Sequence, residues 1–243
     1  MKTPLKHDSS RTVTRLVRQR VEDGGERLWR LEDFKGYPFT AVAQALSRLT
    51  KQGVLERLSK GTYYRPRKTA FGPSRPNPTN VRKLADKKLF PSGTTAANLL
   101  GFTTQVAKHN EMATTAASLP RKLVGENVKV HTRRPAAWSK LNETEAALLD
   151  FLRNGGGASE LSPEETVKKT LLLLSEQNTF NRLTSVAATE PPRVRALLGA
   201  LGESLNADKK TLNRLRASLN SLSRFDFGLF SVLPNSRTWQ AKD

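Results

Sequence analysis

The feature that most constrains this fold is a two-strand pattern placed directly after a helix. The sequence VLERLSKGTYYRPR predicts one strand over residues 54–58 and a second over residues 62–65. Ser59, Lys60 and Gly61 join these strands, and glycine can adopt the positive φ that a tight turn requires. We therefore predict a β-hairpin with Lys60 at its tip.

The residues before the hairpin carry the signals of three helices. Apolar residues at helical spacing predict a helix over residues 11–22. A short strand and a brief helix follow over residues 28–34, and a longer helix over residues 37–52 ends at Gly53. The order of helix, short helix, helix and hairpin is typical of a winged helix-turn-helix, which we predict over residues 10–70.

Three further parts are predicted for the rest of the chain. Residues 71–88 are rich in proline and arginine, which predicts a linker. Short strand and helix patterns predict a small basic α/β domain over residues 89–141, and residues 142–243 are predicted to be helical. The predicted fold class is α+β, mainly α: an N-terminal winged helix-turn-helix, a small α/β domain and a C-terminal helical region.

Local signals predict the elements of these parts. Ser92 is predicted to cap a helix that runs to Leu100, and Asn142 and Ser162 to cap two later helices. Short strands are predicted over residues 112–115, 122–124 and 128–131. Two further helices are predicted over residues 192–205 and 208–222.

The charge of +19 is unevenly distributed along the chain. Residues 1–72 carry 16 basic and 7 acidic side chains, and residues 73–141 carry 12 and 3, which gives +9 in each segment. Residues 142–243 carry 13 and 12, a net charge of +1. Because a basic surface binds phosphates and releases their counterions, the first two segments are predicted to bind a polyanion.

The composition argues against several classes of protein. The absence of cysteine excludes disulfides and thiolate metal sites. No apolar run is long enough to cross a membrane and no signal-peptide core is found, which predicts a cytoplasmic protein without a membrane partner. The histidines, His7, His109 and His131, lie far apart in the sequence. We therefore predict no catalytic residue, no metal site, no cofactor and no enzymatic activity.

The predicted helix over residues 37–52 has two distinct faces. Phe39, Val42, Leu46 and Leu49 share one face, which is predicted to pack on the first helix and the hairpin. The opposite face is polar and holds no acidic residue. Such a face is typical either of a helix that binds DNA in the major groove or of an ordinary solvated helix surface, and the basic hairpin favours DNA.

Specific contacts follow from the chemistry of these side chains. Glutamine can pair with adenine and arginine with guanine, so base contacts are predicted for Thr40, Gln44 and Arg48, and further contacts for Tyr37 and Lys51. The hairpin tip and the residues after it are predicted to contact phosphates through Lys60, Arg65, Arg67 and Lys68. Tyr63 and Tyr64 alternate along their strand, which predicts one side chain inside and one outside.

Two segments carry a family resemblance. The run LSRLTKQGVLERLSKGTYYRPRKTAFG, from Leu46 to Gly72, resembles the winged-helix segment of AbiEi-type antitoxins, which belong to type IV toxin–antitoxin pairs. The run FPSGTTAANLLGFTTQVAKHNEMAT, from Phe90 to Thr114, is similar to the start of that family's second domain. The matching positions are Pro91, Gly93, Ala97, Leu100, Gly101 and Gln105, while Phe102 stands where leucine is expected.

The resemblance implies two activities. The winged helix would bind repeats in the promoter of its own operon and repress transcription, and the second domain would counter a cognate nucleotidyltransferase toxin, directly or indirectly. Residues 142–243 have no assigned role in this comparison. An alternative function is an RNA-binding module that engages tRNA or the toxin's RNA substrate through the basic second domain, although residues 73–141 hold few aromatic side chains for base stacking.

Overall fold

A computed structural model describes residues 6–74, 89–105, 107, 110–117 and 128–242, with side chains described from residue 12 onward. The described residues form two compact units, residues 6–74 and residues 89–242.

The fold is α+β and mainly helical, as predicted. The helices are α1 Lys6–Asp23, α2 Phe39–Lys51, α3 Gly93–Leu99, α4 Glu143–Arg153, α5 Pro163–Ser175, α6 Thr179–Val186, α7 Pro192–Ser204 and α8 Lys209–Ala217. The strands are β1 Arg27–Arg30, β2 Glu56–Ser59, β3 Thr62–Arg65, β4 Lys68–Thr69, β5 Gly72–Pro73, β6 Leu89–Pro91, β7 Asn110–Thr114 and β8 Val128–His131.

The first unit is a winged helix-turn-helix. Its sheet is antiparallel in the order β1-β3-β2, and a 3-10 helix at Leu31–Phe34 connects β1 to α2. Val17, Trp29, Leu46 and Tyr63 belong to one buried cluster that joins α1 and α2 to the sheet. The predicted order of elements over residues 10–70 is thus found in the structure.

Two aromatic predictions for this unit are wrong. Phe39 was predicted to be in the core but is 69% exposed, and Ala45 is buried beside Val42 and Leu46 instead. Tyr63 and Tyr64 are both buried, although they lie on opposite sides of β3. Both are buried because the second side of the sheet has its own small cluster of Leu28, Leu58 and Tyr64.

A second hairpin replaces the first residues of the predicted linker. In this hairpin β4 pairs with β5, with Lys68 opposite Pro73 and Thr69 opposite Gly72. Residues 71–74 therefore belong to the first unit and not to a linker. The sequence contains no strand-like apolar alternation here, which is why a linker was predicted. The rest of that prediction, residues 75–88, and the predicted strand over residues 122–124 lie outside the described residues.

The second unit has one hydrophobic core. Its sheet has the order β6-β7-β8, with β6 antiparallel and β8 parallel to β7. Phe90, Phe102 and Trp138 pack in the same cluster as Phe151 and Trp239. The residues predicted as a small domain (89–141) and as a separate helical region (142–243) therefore pack together in this unit.

Helix starts in the second unit were mostly predictable. Asn142 and Ser162 each form a capping box with the residue three positions later, Glu145 and Glu165. Ser92 does precede α3, but its hydroxyl donates to the Asp150 carboxylate and makes no cap hydrogen bond. The sequence reading missed α6, and the helix predicted from residue 208 to 222 ends at Ala217.

Candidate nucleic-acid interface

The exposed face of α2 is held in place by its buried face. Val42, Ala45, Leu46 and Leu49 are buried, which turns the predicted contact residues outward. The exposed side chains are those of Thr40, Gln44, Arg48 and Lys51. Within the described residues these four make no side-chain hydrogen bond or ion pair, so their polar groups are available to a ligand.

The wing is the hairpin that joins β2 to β3. Gly61 has a φ of +77°, the left-handed conformation that the turn requires, and Lys60 is exposed next to it. Ser59 pairs with Thr62, and Thr62 pairs with Arg30, which precedes the 3-10 helix leading to α2. The wing tip therefore lies at the end of the sheet from which the chain enters α2.

Three other predicted contact residues have different surroundings. The Arg65 guanidinium donates to the carbonyl oxygen of Val21 at 2.9 Å and to that of Glu22, so it caps the end of α1. The Arg65 guanidinium is thus engaged within the first unit itself. Tyr37 is half-buried against the core, which leaves little of it for a base contact. Lys68 is exposed on β4.

Ion pairs neutralise acidic side chains elsewhere in this unit. Glu22 pairs with Arg18 at 3.7 Å, Asp33 with Arg27 at 3.6 Å, and Glu26 with Arg67 at 3.6 Å. No such partner, among the residues described, accompanies the basic side chains of α2 or of the wing tip. The positive charges of Arg48, Lys51 and Lys60 are therefore not neutralised by acidic side chains among the described residues, and they would attract a polyanion.

A buried tyrosine connects the second hairpin to the sheet. Tyr64 Oη donates to Glu26 Oε1 at 2.5 Å and lies 2.9 Å from Ser74 Oγ, which also accepts from the Arg67 backbone N–H at 2.7 Å. The hydrogen bonds from Tyr64 and Ser74 hold the pKa of Glu26 below its ordinary value. Burial raises the pKa of Tyr64, so the phenol remains a donor. These contacts fix the base of the hairpin.

The second unit contains a polar cavity of about 430 Å³. In its wall, Glu111 Oε2 lies 2.9 Å from His131 Nε2 and 3.2 Å from Lys129 Nζ. Burial would raise the pKa of Glu111, but the hydrogen bonds from His131 and Lys129 bring it below its ordinary value. Across the described part of the chain, no cluster of three or more histidine or acidic side chains is placed to hold a metal ion.

The same unit has a buried ionic network that the sequence reading missed. Asp150 is fully buried and accepts hydrogen bonds from Ser92 Oγ at 2.7 Å, from the Gly93 backbone N–H at 3.0 Å and from Arg134 Nη2 at 2.7 Å. The Asn154 amide donates a fourth bond at 3.1 Å. These donors come from three different segments, so Asp150 joins α3, the chain after β8 and the end of α4.

The fold and the basic face of α2 define a winged helix-turn-helix, and a second compact unit follows it along the chain. Residues 25–136 match a family of unknown function, DUF6088. No curated protein matches the chain. Among solved structures, the chain is similar to the Rv2827c protein of Mycobacterium tuberculosis, with 16% identity and a TM-score of 0.41 over 87% of this chain and 83% of that one. In the described residues, no helix combines the length and apolar character needed to span a membrane.

Proposed function

We propose that the first unit binds duplex DNA, with α2 in the major groove and the wing on the adjacent phosphate backbone. The observation that supports this most directly is the exposed face of α2, where Thr40, Gln44, Arg48 and Lys51 are unpartnered within the described residues. If a ligand covered this face and displaced its water, the polar side chains would lose their hydrogen bonds at a cost in free energy. A ligand that binds here must therefore supply both hydrogen-bond acceptors and donors. Base edges and phosphates supply both.

The proposed contacts divide into two kinds. Gln44 and Arg48 lie one helical turn apart on α2 and can read adenine and guanine edges. Lys60 at the wing tip and Lys68 beyond it are exposed point charges that bind phosphates but cannot identify a base, whereas Arg67 is paired with Glu26. The first kind gives sequence preference, and the second gives affinity that depends on salt.

This division predicts two different mutant phenotypes. Gln44→Ala should weaken binding to the promoter of the chain's own operon by about 1–3 kcal/mol and relax its base preference, because a base contact is lost. Lys60→Ala should weaken all duplexes alike and reduce the slope of log affinity against log salt by about one, because one phosphate contact is lost. Fluorescence anisotropy with the promoter duplex and a scrambled duplex, at several salt concentrations, measures both effects.

Each variant is a control for the other, because both remove one exposed side chain from the same unit. If Gln44→Ala lowers affinity equally for both duplexes, α2 does not read the bases. If the full-length protein prefers neither duplex, the proposal of a sequence-specific repressor is wrong.

The resemblance to AbiEi-type antitoxins supports a second part of the proposal. We assign the chain to the cytoplasm, where it represses its own operon and counters a cognate nucleotidyltransferase toxin. The two units have separate hydrophobic clusters, which is consistent with a division between DNA binding and toxin neutralisation. For the RNA-binding alternative, only four of the twelve basic residues in segment 73–141 are described, and Lys129 and Arg134 pair with acids.

Co-expression with the toxin tests the antitoxin activity. If an adjacent gene encodes a nucleotidyltransferase, the full chain should restore growth to cells that express it. The double variant Gln44→Ala, Arg48→Ala should still restore growth while a promoter reporter is derepressed, because both side chains lie in the DNA-binding unit. The controls are cells that express the toxin with an empty vector and cells in which the toxin is not induced. Growth arrest despite soluble, abundant protein would contradict the antitoxin assignment.

A further inference from the structure

The polar cavity of the second unit is bounded by several parts of the chain. The first residues of α3, the adjacent strands β7 and β8, and the loop that follows α4 all contribute to its wall. The polar side chains of this wall include those of Thr94, Gln105, Glu111, Lys129, His131 and Glu160. Its volume of about 430 Å³ lies within the range of pockets that bind small molecules, about 300–1,000 Å³. The cavity is therefore large enough for a small organic ligand.

The register of β7 and β8 brings three titratable side chains into one part of the wall. Glu111 lies opposite Lys129 and Ala113 lies opposite His131, so Lys129 and His131 project from the same face of the sheet. Glu111 Oε2 contacts both of them, His131 Nε2 at 2.9 Å and Lys129 Nζ at 3.2 Å. A Cβ at Gly93 would lie 2.7 Å from the Glu111 carboxylate, so the backbone at the start of α3 packs directly on it. The carboxylate is thus held from two sides.

Hydrogen-bonding groups in this wall remain available to a ligand. The Thr94 hydroxyl and His131 Nδ1 have no hydrogen-bond partner within the described residues. The Lys129 ammonium has three donors, and it is largely exposed, with 64% of its side chain accessible. The wall therefore offers groups that donate as well as groups that accept.

The charges around the cavity do not favour an anion. The backbone N–H of Thr104, which donates at 2.9 Å, is the main cause that holds the pKa of Glu160 below its ordinary value. The pKa of Glu111 is also below its ordinary value, so both groups are carboxylates at neutral pH. Two negative charges thus stand beside Lys129 and His131, and they would repel an anion. A cation would in turn be repelled by Lys129, which leaves a neutral ligand as the best match.

We propose that this cavity binds a neutral, polyhydroxylated small molecule, a free sugar or the ribose of a nucleoside, through two neighbouring hydroxyl groups. A carboxylate only accepts hydrogen bonds and an ammonium only donates them, whereas a hydroxyl does both. A pair of hydroxyls can therefore donate to Glu111 or Glu160 and accept from Lys129 or Thr94 at the same time. The inference concerns the second unit and does not depend on DNA binding by the first.

Two other kinds of ligand match the cavity less well. A metal ion would need several histidine or acidic ligands around one point, and the described residues contain no such group of three. An apolar ligand would bury Glu111 and Lys129 without supplying hydrogen bonds to them, which is costly in free energy.

Calorimetric titration of the full chain tests the proposal. The probes are D-ribose, D-glucose, adenosine and 2'-deoxyadenosine, with inorganic phosphate as the anionic probe. At least one of the three diols should bind, and phosphate should not. If the ligand is a nucleoside, 2'-deoxyadenosine should bind about tenfold more weakly than adenosine, because it lacks one of the two neighbouring hydroxyls. If the ligand is a free sugar, ribose or glucose should bind more tightly than adenosine.

Two variants and a matched control locate the binding. Thr94→Val removes a hydroxyl and keeps the shape of the side chain, and Lys129→Met removes an ammonium; each should weaken binding about tenfold. Lys140→Met is the control, because Lys140 is an exposed lysine of the same unit that does not line the cavity, and it should leave binding unchanged.

Four outcomes would overturn the proposal. These are no binding of any diol, equal binding of adenosine and 2'-deoxyadenosine, binding of phosphate alone, and binding that neither Thr94→Val nor Lys129→Met weakens. None of them bears on the first unit, where promoter binding is measured separately by anisotropy. Failure of this inference is therefore distinguishable from failure of the proposed DNA-binding function.

Discussion

Replacing Arg48 by glutamate is expected to lower the affinity for the promoter duplex about a hundredfold. A bidentate arginine–guanine contact contributes about 1–3 kcal/mol of discrimination, the new carboxylate would repel the phosphates, and each 1.4 kcal/mol is a factor of ten. The fold should tolerate the change, because Arg48 is exposed and α2 is held by Leu46 and Leu49 on its other face. Anisotropy titration at constant salt measures the affinity, and circular dichroism confirms the fold.

Arg214→Glu is the matched control for this charge reversal. Arg214 is an exposed arginine near the end of α8, with no hydrogen bond or ion pair within the described residues, and its reversal changes the net charge by the same amount. It should reduce affinity only slightly, because Arg214 does not belong to the proposed DNA-binding face of α2. Equal losses in the two variants would mean that net charge, and not the face of α2, determines binding.

Replacing Asp150 by alanine is expected to destabilise the second unit by about 3–5 kcal/mol, since it leaves a buried charge without its partner. Arg134 would lose its 2.7 Å ion pair, and its Nε already lacks a hydrogen-bond partner. The Ser92 hydroxyl and the Gly93 N–H would lose their acceptor as well. Urea denaturation followed by tryptophan fluorescence measures the free energy, because Trp138 and Trp239 are buried in this unit.

Asp226→Ala removes an exposed carboxylate from the same unit and is the control for this variant. Within the described part of the chain its side chain accepts only a local hydrogen bond, from the Gly228 N–H, so the loss should stay within about 1 kcal/mol. Promoter binding by Asp150→Ala at low temperature should remain close to that of the wild type, because, among the described residues, the core of the first unit contains no residue of the second. A stability loss as small as that of Asp226→Ala would show that the network contributes little.

Local signals made much of the fold predictable from the sequence. Gly53 ends α2, and Gly61 forms the turn of the wing, because both adopt a positive φ. The capping boxes at Asn142 and Ser162 likewise depend on residues only three positions apart. The exposed face of α2 follows from the same periodicity, since a buried apolar stripe leaves the remaining side chains in solvent. Thr40, Gln44, Arg48 and Lys51 were placed correctly on that face for this reason.

What could not be predicted depends on contacts between distant residues. Arg65 was assigned to the interface by its charge, but the end of α1, more than 40 positions earlier, provides its acceptors. In the sequence, Asp150 is an ordinary polar residue of a helix. Its role in the buried network depends on Ser92 and Arg134, which are distant in the sequence and contact it only in the folded chain. Phe39 was placed in the core by spacing, yet it stands at the first position of α2, where the helix extends beyond the packed surface.

The two hairpins of the first unit differ in chemistry, and this difference gives the unit a direction. One end of the sheet carries a lysine at a glycine turn, and the other leads to a hairpin with an exposed aromatic ring three positions after a lysine. A duplex bound along α2 as proposed would have the wing on one side of it and no second copy of that hairpin on the other, so its footprint would have polarity. Two copies on an inverted repeat would bring like hairpins together at the centre of the site, whereas copies on a direct repeat would follow one another head to tail.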